Sequence, residues 1–308
     1  MSAVIRVVVR RRSWGKDARA VARRSRRVFS TLPALRWLGT RGVRVERVER
    51  VERVERGERG GTGAPSGEWL TTGSGPGTIL YLHGGGYLSC SPVTHRPITA
   101  GLARLSGLRV FSLDYRLAPE HRYPAALDDA FAAYRWLLER LRLPAGSIAL
   151  AGDSAGGGLA LGVLLRARDA GTALPACAVC FSPWTDLAGT GDISHAPARR
   201  CAMFHAGNLS EFASAYLGDT SPGDAYASPV YADLAGLPPV LLQVGSTELL
   251  LDDARRVHEK IERAGGASTL DVFDGVFHCW QMLDGVVPES RVALTRAAAF
   301  LREHVARP

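Results

Sequence analysis

"SIALAGDSAGGGLALGVLLRA", residues 147–167, joins an apolar β-like run to a helix-like run through a turn that carries a lone serine. The apolar run has the unbroken hydrophobicity of a strand buried on both faces, and the small-residue stretch after it continues as a helix. Between them, Gly152-Asp153-Ser154-Ala155-Gly156 keeps glycine two positions to either side of the serine. A serine thrust out on a strand-to-helix turn needs a backbone conformation that ordinary side chains obstruct, and glycines at those positions relieve the clash. This is the nucleophile-elbow pattern, and it occurs once in the chain.

Outward from this unit, runs rich in Val, Ile, Leu and Phe at 78–83, 108–114, 176–181, 239–244 and 269–273 read as further strands, with a short one around 69–72. Helix-like segments lie near 93–106, 124–141, 155–170, 253–264 and 288–305. Such alternation predicts an α/β fold with a mostly parallel central sheet covered by helices on both faces. Ligands of these sheets bind beyond the carboxyl ends of the strands, so candidate chemistry is sought just after each apolar run.

A serine hydroxyl needs a base within hydrogen-bond reach and an acid to orient that base. Of the eight histidines, His278 follows the run TLDVFDG at the expected edge and comes after the serine, in the order Ser, acid, His. His121 also follows a strand but precedes the serine. For the acid, GSTELLLDDARRV offers Glu248 nearest the strand end and Asp252 as the alternative. Asp252 and Asp253 also stand where a helix begins, and capping accounts for them there. The triplet in "ILYLHGGGYLSCSP", residues 79–92, supplies the remaining part. Backbone N–H groups crowd a reacting carbonyl only where side chains are absent, and one such donor is worth roughly 3 kcal/mol of transition-state stabilisation. Gly84 and Gly85 are expected to give two donors and Ala155 a third, with His83 anchoring the loop. Tyr87, Trp184, Phe204, Phe212 and Trp280 are candidates for an apolar pocket, with Trp280 beside the base expected to shorten it. Asp153 is a further candidate for substrate contact.

The formal net charge of +8 is local: residues 1–60 hold 18 Lys+Arg against 6 Asp+Glu, and the remainder holds 20 against 24. No aromatic stacking platform or reading helix accompanies the basic arm, which argues against a nucleic-acid partner. Residues 14–40 suggest one or two amphipathic helices; packing onto the main domain is favoured over contact with a membrane surface. Four Val-Glu-Arg triplets run from Val45 to Arg56. Their period of three matches neither strand nor helix and suggests a solvated surface hairpin. The five cysteines suggest no disulfide framework, and Cys177 and Cys180 should point to opposite faces of a strand rather than bind metal. No stretch is long and apolar enough for a membrane span, and the N-terminus lacks a secretory pattern, so the cytoplasm is the expected location.

The stretches HGGGY (83–87), DYRLAPEHRYPAA (114–126), GDSAGGGLA (152–160), SPWTDL (182–187) and GVFH (275–278) resemble the hormone-sensitive-lipase family of α/β-hydrolases, in its branch of bacterial esterases and acetyl-hydrolases. The resemblance covers roughly residues 68–305. It implies the α/β-hydrolase fold over 68–308, with residues 1–67 as cap helices and linker and a cap insertion near 186–227. It further implies Ser154 as nucleophile, His278 as base, and Gly84, Gly85 and Ala155 as the oxyanion hole. The family's acid is usually an aspartate thirty residues before the histidine; that position here is Glu248. The implied activity is hydrolysis of short- to medium-chain acyl esters, without cofactor or metal, on a small-molecule ester as partner. An amide deacetylase and a non-catalytic small-molecule receptor are the competing readings, and a homodimer is compatible with the sequence.

Overall fold

Strands that are apolar along their whole length need cover on both faces, and the helices supply it. The computed structural model describes residues 17–29, 40–49, 63–73, 75, 77–191 and 201–306. Residues 1–16, most of the arm at 30–39, the later Val-Glu-Arg triplets and part of the expected cap insertion lie outside the described residues. The strands are β1 (Arg44–Val48), β2 (Gly67–Thr71), β3 (Thr78–Leu82), β4 (Arg109–Leu113), β5 (Ile148–Asp153), β6 (Cys177–Phe181), β7 (Val240–Gly245) and β8 (Ser268–Phe273). They form an eight-stranded sheet of order β1-β2-β4-β3-β5-β6-β7-β8. From β4 through β8 all pairings are parallel, while β2 pairs antiparallel with both β1 and β4.

The helices are α1 (Ala18–Val28), α2 (Arg96–Ser106), α3 (Ala125–Glu139), α4 (Ala155–Asp169), α5 (Ala206–Leu217), α6 (Leu251–Arg263) and α7 (Pro288–His304). One core layer packs Leu80, Leu82, Phe111 and Leu150 of the sheet with residues of α3, α4 and α5. On the other face, Ile79, Tyr81, Val110 and Val179 pack with α2 and α7. Cys177 belongs to the second layer and Cys180 to the first, the opposite-face placement expected of a strand.

Strand β1 was hidden in the triplet repeat. Along it Val45 and Val48 point to opposite faces, as an i, i+3 pair in a strand must. Val45 packs on the second layer and Val48 on the first. An edge strand with both valines half-buried uses this pattern because each face of the sheet needs only one apolar residue from it.

Two local devices position the site. Helix α2 stops at Gly107 in left-handed conformation (φ 73), which returns the chain into β4. The β5–α4 turn is tighter: a Cβ on Gly152 would overlap the carbonyl of Gly156, and one on Gly156 would overlap that of Leu82. Only glycine lets α4 start directly over the ends of β3 and β5.

Candidate active site

Ser154 sits between those glycines with φ 53 and ψ −122, a backbone state that a side chain adopts only under strain. Its N–H is fixed to Phe181 O at 2.8 Å, and its carbonyl accepts from Trp184 N at 2.9 Å. Bonds to the end of β6 and to the loop that follows it thus offset the strain and hold Oγ outward. His278 comes from the loop after β8, and its Nε2 lies 2.9 Å from Ser154 Oγ. Its Nδ1 lies 2.6 Å from Glu248 Oε2 in the turn after β7. The other carboxylate oxygen, Oε1, accepts from Gly245 N–H at 2.6 Å and from the Ser182 hydroxyl at 2.8 Å. Ser154, His278 and Glu248 are nearly buried, at 9%, 4% and 2% exposure, so little water competes for these bonds. Asp252, the alternative acid, lies instead on α6 within 4.0 Å of Arg256. Its neighbour Asp253 accepts from the N–H groups of Thr185 and Asp186, at 2.8 and 2.9 Å. Burial first, then the Asp186 charge, pushes the Asp253 carboxyl up to about 7 against those two bonds.

The glycine triplet corrects one expectation. Gly84 N–H does not face the reacting serine: it donates to Asp153 Oδ1 at 2.9 Å. A Cβ at Gly84 would overlap Asp153 Oδ2, so the residue is glycine to let that carboxylate in. Gly85 (φ 109) and Gly86 (φ 62) are the members of the triplet that line the cavity at Ser154. Ala155 opens α4, where a first-turn N–H has no intrahelical acceptor. Of the two glycine donors expected, Gly84 N–H is thus committed to Asp153, while Gly85 and its neighbour Gly86 face the cavity.

Asp153 is the hub beneath the loop, a role the sequence did not reveal. Besides Gly84 it accepts from Tyr81 Oη–H at 2.6 Å and pairs with His95 Nε2 at 3.1 Å. Burial alone would raise its pKa, but His95, the Tyr81 bond and His83 together hold it down at about 2. It touches the cavity, yet its carboxylate is committed to the protein. His83 anchors the loop as expected: its Nδ1 bonds Gly84 O at 2.7 Å, and its ring stacks on Tyr115 at 4.2 Å. Burial, then the neighbouring His95, brings its pKa down to about 3, so it is neutral and holds the loop without titrating near pH 7.

The cavity over Ser154 has a volume of about 380 Å³. Trp184, Phe204 and Phe212 line it, as anticipated; Phe29, Leu209 and Met203 do so without having been anticipated. Phe204 stands edge-on to the His278 ring at 5.3 Å. Two expected wall residues are elsewhere. Tyr87 is core, stacked on Tyr216 at 3.8 Å, and Trp280 is fully buried against Phe273 at 5.0 Å. Its position two residues after His278 turns it inward, because the intervening Cys279 takes a left-handed conformation (φ 54). Trp280 therefore does not shorten the cavity.

Ser154 at its elbow, Glu248 and His278 follow one another in chain order along one edge of a mostly parallel sheet. Residues 79–282 match the model of the alpha/beta hydrolase fold family. The chain belongs to the α/β-hydrolase fold family. An acetyl-hydrolase of Streptomyces hygroscopicus is 46% identical over 236 residues, 76% of this chain and 79% of that protein. An esterase of Acinetobacter venetianus is 37% identical over 72% of this chain and 73% of its own. The crystal structure of an esterase from the bacterial hormone-sensitive lipase family superposes with a TM-score of 0.86 at 37% identity, covering 99% of this chain and 97% of that one. The resemblance read from the motifs and the predicted fold class are thereby borne out. Among the described residues no helix is long and apolar enough to cross a membrane.

Proposed function

We propose that this α/β-hydrolase is a serine carboxylesterase that cleaves short- to medium-chain acyl esters, acetyl esters among them, through an acyl-enzyme. The observation that carries this reading is the relay from Glu248 through His278 to Ser154, at 2.6 and 2.9 Å, opening onto an apolar cavity. Ser154 Oγ attacks the ester carbonyl carbon as its proton passes to His278 Nε2. Glu248 accepts from Nδ1–H, which keeps Nε2 the basic nitrogen and stabilises the imidazolium. The charge growing on the carbonyl oxygen is met by the N–H groups of Gly85, Gly86 and Ala155. His278 then gives its proton to the leaving alkoxide as the C–O bond breaks. Water repeats the sequence: its proton goes to Nε2, its oxygen adds to the acyl carbon, and collapse returns Ser154 and a carboxylic acid. The chain's own side chains handle every proton, so the scheme calls for no cofactor.

In this proposal α1 and α5 form a cap on the catalytic body, supported by Phe29, Leu209 and Phe212 on the cavity wall. Cytoplasmic residence is part of the same reading, supported by five cysteines that are all unpaired. The test is a kcat/KM series on p-nitrophenyl esters from acetate to octanoate, set beside matched N-acetyl anilides. Esters are expected to lead, with rates falling for the longest chains. Faster turnover of the anilides overturns the reading in favour of a deacetylase.

A further inference from the structure

We propose that a second cavity, next to the catalytic one, is a binding site for a small apolar molecule that carries one amino group, with Asp253 as its anchor. The cavity has a volume of about 290 Å³ and lies between the loop after β6 and the first turns of α5 and α6. Trp184 and Leu209 stand both in its wall and in the wall above Ser154, so the two cavities are neighbours across one partition. Leu187, Leu249 and Leu250 add to its apolar lining. Its size is near the lower end, about 300 Å³, of the cavities that hold small ligands.

Asp253 decides what the ligand must bring. It is only 5% exposed, and every bond its carboxylate accepts falls on Oδ2: the N–H groups of Thr185 and Asp186, at 2.8 and 2.9 Å, and the Thr185 hydroxyl at 3.4 Å. Among the described residues none donates to Oδ1, and that oxygen keeps access to the cavity that Asp253 lines. A buried carboxylate oxygen without a donor is costly, and a donor carried by a ligand removes the cost. Asp186, the other acid of the lining, has no such opening. Its Oδ1 accepts from Ala188 N–H, Gly189 N–H and the Tyr231 hydroxyl, and its Oδ2 from Thr190 N–H, Gly191 N–H and Arg256. Arg256 is thereby spent on Asp186, at 2.7 Å, and no Lys or Arg stands among the described residues of the lining. The charge beside Asp253 therefore favours a cation and rejects an anion. An ammonium at Oδ1 would also hold ionised a carboxyl that burial, then the Asp186 charge, pushes up to about 7.

Full-length protein is titrated at neutral pH with hexylamine, hexanol and hexanoate, and binding is read by calorimetry. Hexylamine is expected to bind, hexanol at least about tenfold more weakly, and hexanoate not at all, since a bond to a charged group is worth about tenfold to a hundredfold in affinity. Asp253→Asn keeps the shape, and its carbonyl can take the two N–H bonds, so hexylamine affinity should fall by about tenfold or more. Should that variant fail to fold, Ser210→Phe decides: Ser210 is exposed on α5 and borders this cavity alone, and the larger ring should block the amine. Met282→Ala, on the catalytic cavity alone, should leave amine binding unchanged. No binding of hexylamine, equal binding of hexanol or hexanoate, or a folded Asp253→Asn or Ser210→Phe variant within ~threefold of the parent overturns the proposal. So does loss of amine binding in Met282→Ala, which would put the amine over Ser154. The readout is binding, so its failure is distinct from any failure of the esterase reading.

Discussion

Replacing Glu248 by glutamine isolates the role of one proton. In the native site Oε1 already accepts from Gly245 N–H at 2.6 Å and Ser182 Oγ–H at 2.8 Å, which leaves Oε2 to accept from His278 Nδ1 at 2.6 Å. Glutamine keeps the shape. Its carbonyl takes the place of Oε1, where two donors point, and its NH2 group is forced against Nδ1. Two donors cannot face each other at that distance, so the imidazole takes the tautomer with hydrogen on Nε2. That nitrogen can no longer accept the Ser154 proton. The expected loss in kcat is about 10⁴-fold, or roughly 5.5 kcal/mol of barrier, the size seen when a triad acid becomes an amide. KM should change little, because Glu248 is not on the cavity wall. Glu248→Asp keeps the charge but withdraws it by one carbon–carbon bond, about 1.5 Å, and should cost less than the amide. Steady-state hydrolysis of p-nitrophenyl acetate at neutral pH measures both. A glutamine variant that retains more than a tenth of the parent kcat, or one less impaired than the aspartate variant, refutes the tautomer argument.

Three other outcomes follow from the geometry. Asp153 has its folded pKa depressed to about 2, so its stabilising bonds are fully present above the unfolded value near 3.9 and are lost as pH falls from about 4 to about 2. Urea midpoints should show this acid limb, worth on the order of 2 kcal/mol, and Asp153→Asn should flatten it while lowering stability at neutral pH. Gly85→Ala places a Cβ at φ 109 and against the backbone carbonyl of Ser89, so activity should fall by at least the hundredfold that a lost oxyanion donor costs, as read by kcat/KM. Phe204→Ala removes a cavity wall that also touches His278, and the preferred acyl length should rise while acetate hydrolysis drops; an unchanged chain-length profile would remove Phe204 from the account.

Much of this was legible in the sequence, for a physical reason. Parallel strands buried on both faces are written as unbroken apolar runs, and the residues that follow them sit at one edge of the sheet. That rule led to Ser154, Glu248 and His278 from addresses alone. It failed where a side chain from another strand decides the outcome: Gly84 lost its expected donor role because Asp153 turns beneath the loop and takes its N–H. Aromatic residues gave a second limit. Trp184 and Trp280 each follow a strand, but the left-handed Cys279 swings Trp280 into the core, and no local pattern announces that turn. Strand β1 was obscured because Val-Glu-Arg repeats by three, and its valines serve two separate layers.

The central claim is that Ser154 carries the acyl group. A fluorophosphonate ester, followed by mass analysis of the intact protein and its peptides, tests it most directly. One adduct per chain is predicted, on the peptide containing Ser154, accumulating in step with loss of hydrolysis and slowed strongly by His278→Ala. An adduct on another residue, or full hydrolysis surviving complete modification of Ser154, would contradict it.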